Sequence, residues 1–373
     1  MTSFAIRPVI YEKSSFSEMS DYFELTDKDL ILTNEFIYDP FIKSLNLSCP
    51  VLFQEKYGAG EPTDIMIDAI RADVPEKINR IIAVGGGTVM DIAKVLILRS
   101  DGSTEDMFLK KVGCEKVMEL IAVPTTCGTG SEVTNVSVAG MTNLGTKLGL
   151  ALDITYPDVA VLIPEMVKTL PIRFFAMSSI DALIHSIEAY LSPKASSHSQ
   201  LFSTKAIKMI LEHYRLIVEK GLETWTDYAG AFLLASNYGG IAFGNAGCAA
   251  IHALSYPLSG EYHIAHGEAN HLMFESVIRK YLEIQPQGRI NDLEKILQDA
   301  LKDNGRETIW DQLFNLIDCI VERKPLQKYG IKREQLPVFV DSVLKAQQRL
   351  LNNNYVALSG TDMLDIYEKV FEQ

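Results

Sequence analysis

The sequence of 373 residues lacks the long apolar segments of secreted and membrane-spanning proteins. Its N-terminus, MTSFAIRPVIYEKSSFSEMS, has no apolar core of the kind that marks a signal peptide. No apolar run reaches the roughly 20 residues that cross a bilayer, and the richest one, residues 81–98, is interrupted by three glycines, Asp91 and Lys94. These absences predict a cytoplasmic protein that does not engage the membrane.

Cysteine pairs are also lacking. The five cysteines are widely spaced and include no CxxC pair: Cys49, Cys114, Cys127, Cys248 and Cys319. An odd number without paired spacing excludes a disulfide framework and a zinc ribbon. We expect buried, reduced thiols, which fits the cytoplasm.

Positive charge is scarce, because the formal net charge is −13. Nucleic acids and anionic membranes both require a basic surface, so neither is an expected partner. Apolar residues make up 47% and charged residues 22% of the chain, as in ordinary globular proteins. A chain of 373 residues is longer than one hydrophobic core usually serves, which favours two domains.

The first part of the sequence alternates short β-rich runs with amphipathic stretches. Strands are predicted at residues 29–33, 51–55, 80–84, 120–123 and 159–163, with helices at 63–72 and 89–98 among them. This order is typical of parallel strands joined by helical crossovers. Residues 133–141 and 147–153 flank the turn-like sequence TNLG and predict a β-hairpin.

Strand signals nearly vanish after Pro164 and Pro171. Helices are predicted at residues 179–191, 199–220, 228–242, 293–303 and 306–321. The predicted organisation is therefore an α/β domain at residues 1–170, followed by an all-helical domain at residues 171–373.

A glycine-rich turn, in IAVGGGTVMDIAK, follows one of the predicted strands and precedes a helix. Glycines let the backbone approach a ligand closely, and a helix N-terminus offers free N–H groups to a pyrophosphate. Thr88 occupies the position expected of an N-cap hydroxyl. The turn matches neither GxGxxG nor a P-loop, so a purely structural tight turn is an equal alternative.

A second turn, PTTCGTGSE at residues 124–132, follows another predicted strand and is dense in hydroxyls and glycines. Two such turns after parallel strands point to the carboxyl edge of the sheet, where nucleotides bind in doubly wound folds. The alternative is a pair of unrelated tight loops.

A carboxylate and three imidazoles form a candidate metal site. Asp181 and His185 are four residues apart in a predicted helix, which places them on one face, and His252 and His266 follow downstream. This set suits a divalent first-row metal such as Fe²⁺ or Zn²⁺. Each residue alone has an ordinary structural alternative, as a buried hydrogen-bonded histidine or a capping aspartate, and spacing does not decide between them.

Five motifs in order, GGGTVMDIAK, PTTCGTGSEVT, DALIHSIEAY, HALSYPL and HGEAN, resemble the iron-containing (type III) alcohol dehydrogenase family over nearly the whole chain. The resemblance implies a Rossmann-like dinucleotide-binding α/β domain and an all-helical metal-binding domain, the architecture of dehydroquinate synthase. It also implies a homo-oligomer, with dimers common.

The resemblance implies roles for individual residues. The metal ligands, which also make up the catalytic centre, would be Asp181, His185, His252 and His266. The dinucleotide would be bound by Asn34, Gly86, Gly87, Thr88, Asp91, Thr125, Thr126, Thr129 and Lys147.

Two positions depart from the family pattern. Many members carry a second histidine at the place of Tyr256, so His271, His263 or water is expected to take part in proton transfer. Many NAD-preferring members carry an aspartate at the place of Asn34, where its charge repels the 2′-phosphate of NADP. The expected preference for NAD then rests on Glu35.

The implied reaction is hydride transfer between NAD(H) and a primary alcohol or aldehyde. TNEFIYDPF, FQEKYGAGEPTD and SNYGGIAFGNAG are most similar to members that interconvert 4-hydroxybutyrate and succinate semialdehyde. Alternatives are a general primary-alcohol or 1,3-propanediol dehydrogenase, a dehydroquinate-synthase-like lyase, and a nucleotide-binding module without activity. Candidates for contact with the substrate carboxylate are Arg349, Asn353, Asn354, Tyr256 and His271, although a solvated helix end accounts better for the first three.

Overall fold

The computed structural model describes residues 4–262, 264–303 and 305–372, and the chain divides into two compact units. One unit is Ile6–Leu170, and the other is Pro171–Gln373 together with Met1–Ala5. Ala5 is held in the second unit by Asn245, whose Oδ1 accepts from the Ala5 N–H at 2.8 Å and whose Nδ2 donates to the Ala5 carbonyl at 3.0 Å.

The first unit is an α/β structure. Its elements in chain order are β1 (Val9–Glu12), α1 (Phe16–Tyr22), β2 (Asp29–Thr33), α2 (Glu35–Phe41), β3 (Val51–Phe53), α3 (Asp64–Asp73), β4 (Arg80–Gly85), α4 (Gly87–Leu96), β5 (Leu98–Arg99), α5 (Thr104–Phe108), β6 (Glu115–Lys116), β7 (Glu119–Pro124), β8 (Val136–Met141), β9 (Thr146–Ala151), β10 (Val159–Leu162) and α6 (Pro164–Val167). Six strands form one sheet in the order β1-β10-β7-β4-β2-β3, and all its pairs are parallel.

The central strands are apolar on both faces, as a parallel sheet covered on both sides requires. Leu30 and Ile81 pack into the apolar cluster on one face, whereas Ile31 and Ile82 belong to the cluster on the other. Side chains alternate along a strand, so consecutive residues supply both clusters. Because the helices cover both faces, the turns that follow the strands lie at the carboxyl edge of the sheet.

The strands β8 and β9 form the predicted hairpin, an antiparallel pair. Gly145 lies in its turn with φ +59°, in the left-handed region that glycine adopts without strain. The Gly140 N–H donates to the Pro62 carbonyl at 2.9 Å and attaches the hairpin to the segment before α3. The hairpin prediction is confirmed.

The second unit is helical. Its helices are α7 (Ile172–Leu191), α8 (Ser197–Lys220), α9 (Ala229–Ala246), α10 (Ala250–Tyr262), α11 (His266–Ile284), α12 (Arg289–Leu301), α13 (Ile309–Ile320), α14 (Leu336–Ala346), α15 (Gln348–Leu351) and α16 (Gly360–Glu372). Parallel α/β structure followed by all-helical structure confirms the predicted fold class. Crossing a bilayer would take a longer and more apolar helix than any that the structure describes.

Two local predictions were wrong. Thr88 is not the N-cap of α4, because the helix begins at Gly87, two residues earlier than a Thr88 cap would place it, and Gly86 holds the cap position with extended backbone. Cys319 is exposed and Cys114 half-buried, whereas the sequence predicted buried thiols throughout. Cys319 lies near the end of the amphipathic helix α13, on its polar side.

Candidate active site

The candidate metal ligands come together from three helices of the second unit. Helix α7 is buried over most of its length and places Asp181 and His185 one turn apart on one face. Helix α10 contributes the buried His252, and α11 begins at the half-buried His266.

The ligand atoms fall in two overlapping groups in which all atoms lie within 4.8 Å of one another, Asp181 with His252 and His266, and His185 with His252 and Cys248. His185 Nε2 and His252 Nε2 are 3.0 Å apart, and His252 Nε2 lies 3.5 Å from Asp181 Oδ1. The distance from His266 Nε2 to Asp181 Oδ1 is 3.9 Å. Metal–nitrogen bonds of about 2.0–2.1 Å in tetrahedral geometry separate ligand atoms by about 3.4 Å. The spacing of Asp181, His252 and His266 therefore fits a single divalent cation, with His185 beside His252.

Glu188 orients His252 from the side opposite the ligand atoms. Its Oε2 accepts from His252 Nδ1 at 2.6 Å, which leaves Nε2 directed towards Asp181 and His185. The same carboxylate accepts from the backbone N–H groups of Ala249 at 2.9 Å and Ile251 at 2.7 Å. A partner of this kind fixes the tautomer and the ring orientation of a ligating histidine.

Asn270 performs a similar role for the carboxylate. Its Nδ2 donates to Asp181 Oδ1 at 2.8 Å, and it lies 3.2 Å from His266 Nε2. Its own Oδ1 is buried and has no hydrogen-bond partner among the described residues. An unpaired polar atom beside the cluster is costly in a closed core, so it marks a place that a bound polar group would complete.

The electrostatics keep the carboxylate ionised. Burial raises the pKa of Asp181, but the neighbouring His185 and His266 outweigh it, so the pKa lies below its usual range. Burial likewise lowers the pKa of His252, whereas Glu188 and Asp181 raise it to about 9. These negative groups attract positive charge, and a metal cation would satisfy them in place of a proton.

The two predicted cofactor turns of the first unit lie against each other. In the pairing of β4 with β7, Gly85 is opposite Pro124, so both turns leave the same edge of the sheet. A Cβ added at Gly86 would lie 3.1 Å from Thr126 Cγ2, and one added at Gly87 would lie 2.9 Å from Thr129 Cγ2. A Cβ at Gly87 would therefore force a shift of Thr129, and one at Gly86 would crowd Thr126.

Both carboxylate oxygens of Asp91 accept hydrogen bonds from other residues of the first unit. Ser131 Oγ donates to its Oδ1 at 2.8 Å, and the Val138 N–H donates to its Oδ2 at 2.9 Å. The fully buried Lys94, 3.8 Å from Asp91, donates to Ser131 Oγ at 2.6 Å and to Thr134 Oγ1 at 3.1 Å. Burial lowers the pKa of Lys94 to about 8. This network attaches α4 to the second turn and to β8.

The other residues predicted to bind the cofactor lie after β2, in the two turns and on the hairpin. Asn34 is buried after β2, and Thr125 is buried, with its N–H donating to the Gly85 carbonyl at 3.0 Å. Thr88 Oγ1 lies 3.4 Å from the Gly60 carbonyl. Lys147, on β9, forms an ion pair with Glu61.

Comparison with known proteins decides the family. Residues 7–164 match the family model described as iron-containing alcohol dehydrogenase, and residues 175–371 match that of the Fe-containing alcohol dehydrogenase family, C-terminal. The chain belongs to the iron-containing alcohol dehydrogenase family. This confirms the resemblance carried by the five motifs and identifies an alcohol dehydrogenase.

Relatives within the iron-containing alcohol dehydrogenases differ in their substrates. The chain is 49% identical over 367 residues to a 4-hydroxybutyrate dehydrogenase of Clostridium kluyveri, covering 98% of this chain and 99% of the relative. It is 32% identical to long-chain-alcohol dehydrogenase 1 of Geobacillus thermodenitrificans, covering 90% and 88%. Sulfoacetaldehyde reductase from Bifidobacterium kashiwanohense, solved in complex with NAD⁺, shares the fold with a TM-score of 0.85 at 23% identity, covering 100% and 99%.

The structure does not bring His271 to the candidate metal ligands Asp181, His185, His252 and His266. Its Nε2 lies 4.0 Å from Asp318 Oδ1, and burial, with Arg323 nearby, lowers its pKa to about 3. The reason is helical geometry, since Asn270, four residues after His266, shares the face of His266, whereas His271 is turned away. His263 lies outside the described residues.

Tyr256 stays close to the cluster. Its ring centroid is 6.2 Å from that of His266. Asn353 and Asn354 are buried and not solvated, because Asn353 Nδ2 donates to the Cys248 carbonyl at 2.9 Å and Asn354 Oδ1 accepts from the Tyr281 hydroxyl at 3.3 Å.

Sequence reasoning missed Glu188 and Asn270, although helical spacing could have identified both. Glu188 lies three residues after His185 and seven after Asp181 on the same helix face, and Asn270 lies four after His266. It also missed Phe243, whose ring stacks on that of His185 with centroids 4.2 Å apart.

Proposed function

We propose that the chain is an NAD-dependent 4-hydroxybutyrate dehydrogenase, which interconverts 4-hydroxybutyrate and succinate semialdehyde. The observation that carries the substrate assignment is the identity of 49% to a 4-hydroxybutyrate dehydrogenase over 98% of this chain. The general primary-alcohol alternative is supported by the more distant long-chain-alcohol dehydrogenase, at 32% identity.

In this proposal Asp181, His185, His252 and His266 hold the metal, with Fe²⁺ as the expected ion and Zn²⁺ as the alternative. Such a cation stabilises the negative charge that develops on the alcohol oxygen as its proton leaves. Glu188 keeps His252 in the tautomer that offers Nε2, and Asn270 holds the carboxylate of Asp181 in place. Tyr256, whose ring centroid lies 6.2 Å from that of His266, is a candidate for contact with the substrate.

The α/β unit binds the dinucleotide in this proposal. The turn of Gly86, Gly87 and Thr88 receives the pyrophosphate at the start of α4, where backbone N–H groups are free of helical partners. Thr125, Thr126 and Thr129 line the neighbouring turn, and Lys147 supplies a positive charge from the hairpin. Asp91 acts indirectly, because its side chain is only 17% exposed and lies within the network that attaches α4 to the second turn. The cytoplasmic location and the homo-oligomeric state stay predictions.

Two measurements test the proposal. Elemental analysis of the purified protein should find about one equivalent of iron or zinc per chain; absence of any metal would support a binding module without activity. NADH formation should then be compared for 4-hydroxybutyrate, butanol and 1,3-propanediol. The proposal requires the highest kcat/KM with 4-hydroxybutyrate, because only that substrate carries a second, charged end. A higher value with butanol would instead support a general alcohol dehydrogenase.

A further inference from the structure

The residue directly after β2 is not the acidic residue that often faces the ribose of a dinucleotide. In doubly wound sheets that residue ends the strand next to the one that carries the glycine turn, and it accepts from the ribose 2′-hydroxyl of NAD. Here β2 is that neighbouring strand, since it pairs with β4, but Asn34 follows it. An amide carries no charge to repel the 2′-phosphate of NADP.

Glu55, which follows the adjacent strand β3, places its carboxylate beside Asn34. β3 pairs with β2 in parallel, with Phe53 opposite Thr33, so the two segments leave the sheet side by side. Glu55 Oε2 accepts from Asn34 Nδ2 at 2.8 Å, and Glu55 Oε1 accepts from the Glu35 N–H at 2.5 Å. The buried Asn34 is itself fixed, because its Nδ2 also lies 3.2 Å from Gln54 Oε1.

We infer that Glu55 is the residue that makes the enzyme select NAD over NADP, with Asn34 as the group that positions its carboxylate. The carboxylate can accept from a ribose 2′-hydroxyl, but it repels a 2′-phosphate. It also occupies the Glu35 N–H, so this donor is not available to a phosphate. The inference rests on the proposed function to the extent that the glycine turn binds a dinucleotide.

Glu35, on which the sequence-based prediction of NAD preference rests, is less suited to selecting NAD over NADP. Its side chain is 60% exposed, and its carboxylate lies 3.9 Å from Lys56 Nζ, which offsets part of its charge. Lys56 also lies over the ring of Phe53, with its Nζ 4.6 Å from the centroid. Exposed pairs of this kind are screened by solvent and contribute little. Glu55 is also exposed, but its carboxylate is not paired with a lysine in any described contact, and both of its oxygens are held by hydrogen bonds.

The decisive experiment measures binding without turnover. Calorimetry compares AMP with adenosine 2′,5′-bisphosphate, two ligands that differ only in the 2′-phosphate, on the wild-type protein and on Glu55→Gln. The wild type should prefer AMP, and Glu55→Gln should reduce this preference by about tenfold or more, as expected when a repulsive carboxylate is removed. Glu35→Gln is the matched control and should change the preference by less than about threefold.

Two further measurements separate specificity from a structural role. Glu55→Asp, which keeps the charge, should retain most of the preference for AMP. The ratio of kcat/KM for NAD to that for NADP, with 4-hydroxybutyrate, should fall in Glu55→Gln in parallel with the binding preference. A variant that binds both ligands more weakly by the same factor, with its thermal midpoint lowered, would show that Glu55 only supports α2 and would overturn the inference.

Failure of the substrate proposal has a different signature. If 4-hydroxybutyrate is not oxidised but Glu55→Gln still loses its preference for AMP, the inference stands and the substrate assignment falls. If the wild-type protein binds adenosine 2′,5′-bisphosphate as tightly as AMP, the inference is overturned whatever the substrate.

Discussion

The candidate metal ligands and the two turns proposed to bind the dinucleotide are built on opposite principles. The candidate ligands depend on side chains brought from distant parts of the sequence, because His252 comes 67 positions after His185. The turns depend on short local segments and on the absence of side chains, since an added Cβ at Gly86 or Gly87 would meet a threonine of the neighbouring turn.

This difference determines how each region can be damaged. Removing a ligand from the cluster leaves the other buried polar groups without their partner, whereas adding a methyl group to a turn removes space. Substitutions of the candidate metal ligands should therefore act through the change of chemical group. Substitutions in the turns should act through the change of side-chain volume. The predictions below test this contrast, from the largest expected effect to the smallest.

The largest effect is expected for His252→Ala. Losing this imidazole removes one of the four ligands and leaves Glu188 buried without its strongest side-chain partner. Metal affinity should fall by more than about 100-fold, because loss of an outer partner alone costs about 10- to 100-fold. Metal content and turnover should be lost together, while AMP binding by calorimetry stays unchanged.

The exposed His198, which stacks on Phe4, provides the control for that variant. His198→Ala should keep its metal and its activity. Full activity of His252→Ala with a stoichiometric metal would show that the cluster is not the metal site.

A smaller loss is expected for Glu188→Gln, which changes charge and leaves volume nearly constant. The amide can still accept from His252 Nδ1, but it no longer raises the basicity of the ring. Metal affinity should fall by about 10- to 100-fold in a competition with a chelator. Substitution of the exposed Glu24 by Gln is the matched control, with no change expected. Equal metal affinity in Glu188→Gln and the wild type would show that the carboxylate merely caps α10.

The same contrast explains what the sequence could predict. The parallel strands, the glycine turns and the hairpin are local patterns of hydrophobicity and turn residues, and the structure has them within a few residues of the predicted bounds. The edge strand β1 was missed, because its burial is only partial and its partner β10 lies far along the chain.

The candidate metal ligands could not be predicted from local patterns in the same way. Asp181 and His185 share one helix, so their spacing is informative, but nothing local relates them to His252 or His266. Only the ordered family motifs connected these residues. The comparison of motifs also suggested a role in proton transfer for His271, which lies beside Asp318 in the structure. Helical spacing alone could have identified Glu188 and Asn270, which were missed.

In the turns, volume should matter more than chemistry. Gly86→Val places its branched side chain against Thr126, where even a Cβ would lie 3.1 Å from Cγ2. Overpacking of this kind costs about 1–3 kcal/mol, so the KM for NAD should rise by about tenfold or more while the metal content stays constant. Gly113→Ala is the control, because a Cβ there meets nothing within 4 Å. An unchanged KM in Gly86→Val would remove the turn from the cofactor site.

The smallest and most informative effect is expected from a pair of changes at Gly87. A Cβ at this position lies 2.9 Å from Thr129 Cγ2 but 3.6 Å from Thr129 Oγ1. Thr129→Ser removes Cγ2 alone, so the double variant Gly87→Ala/Thr129→Ser should regain the thermal stability that Gly87→Ala loses. Its KM for NAD should stay raised by about threefold, because a dinucleotide also needs the space that glycine leaves. If KM recovers together with stability, Gly87 serves packing between the two turns and not the cofactor.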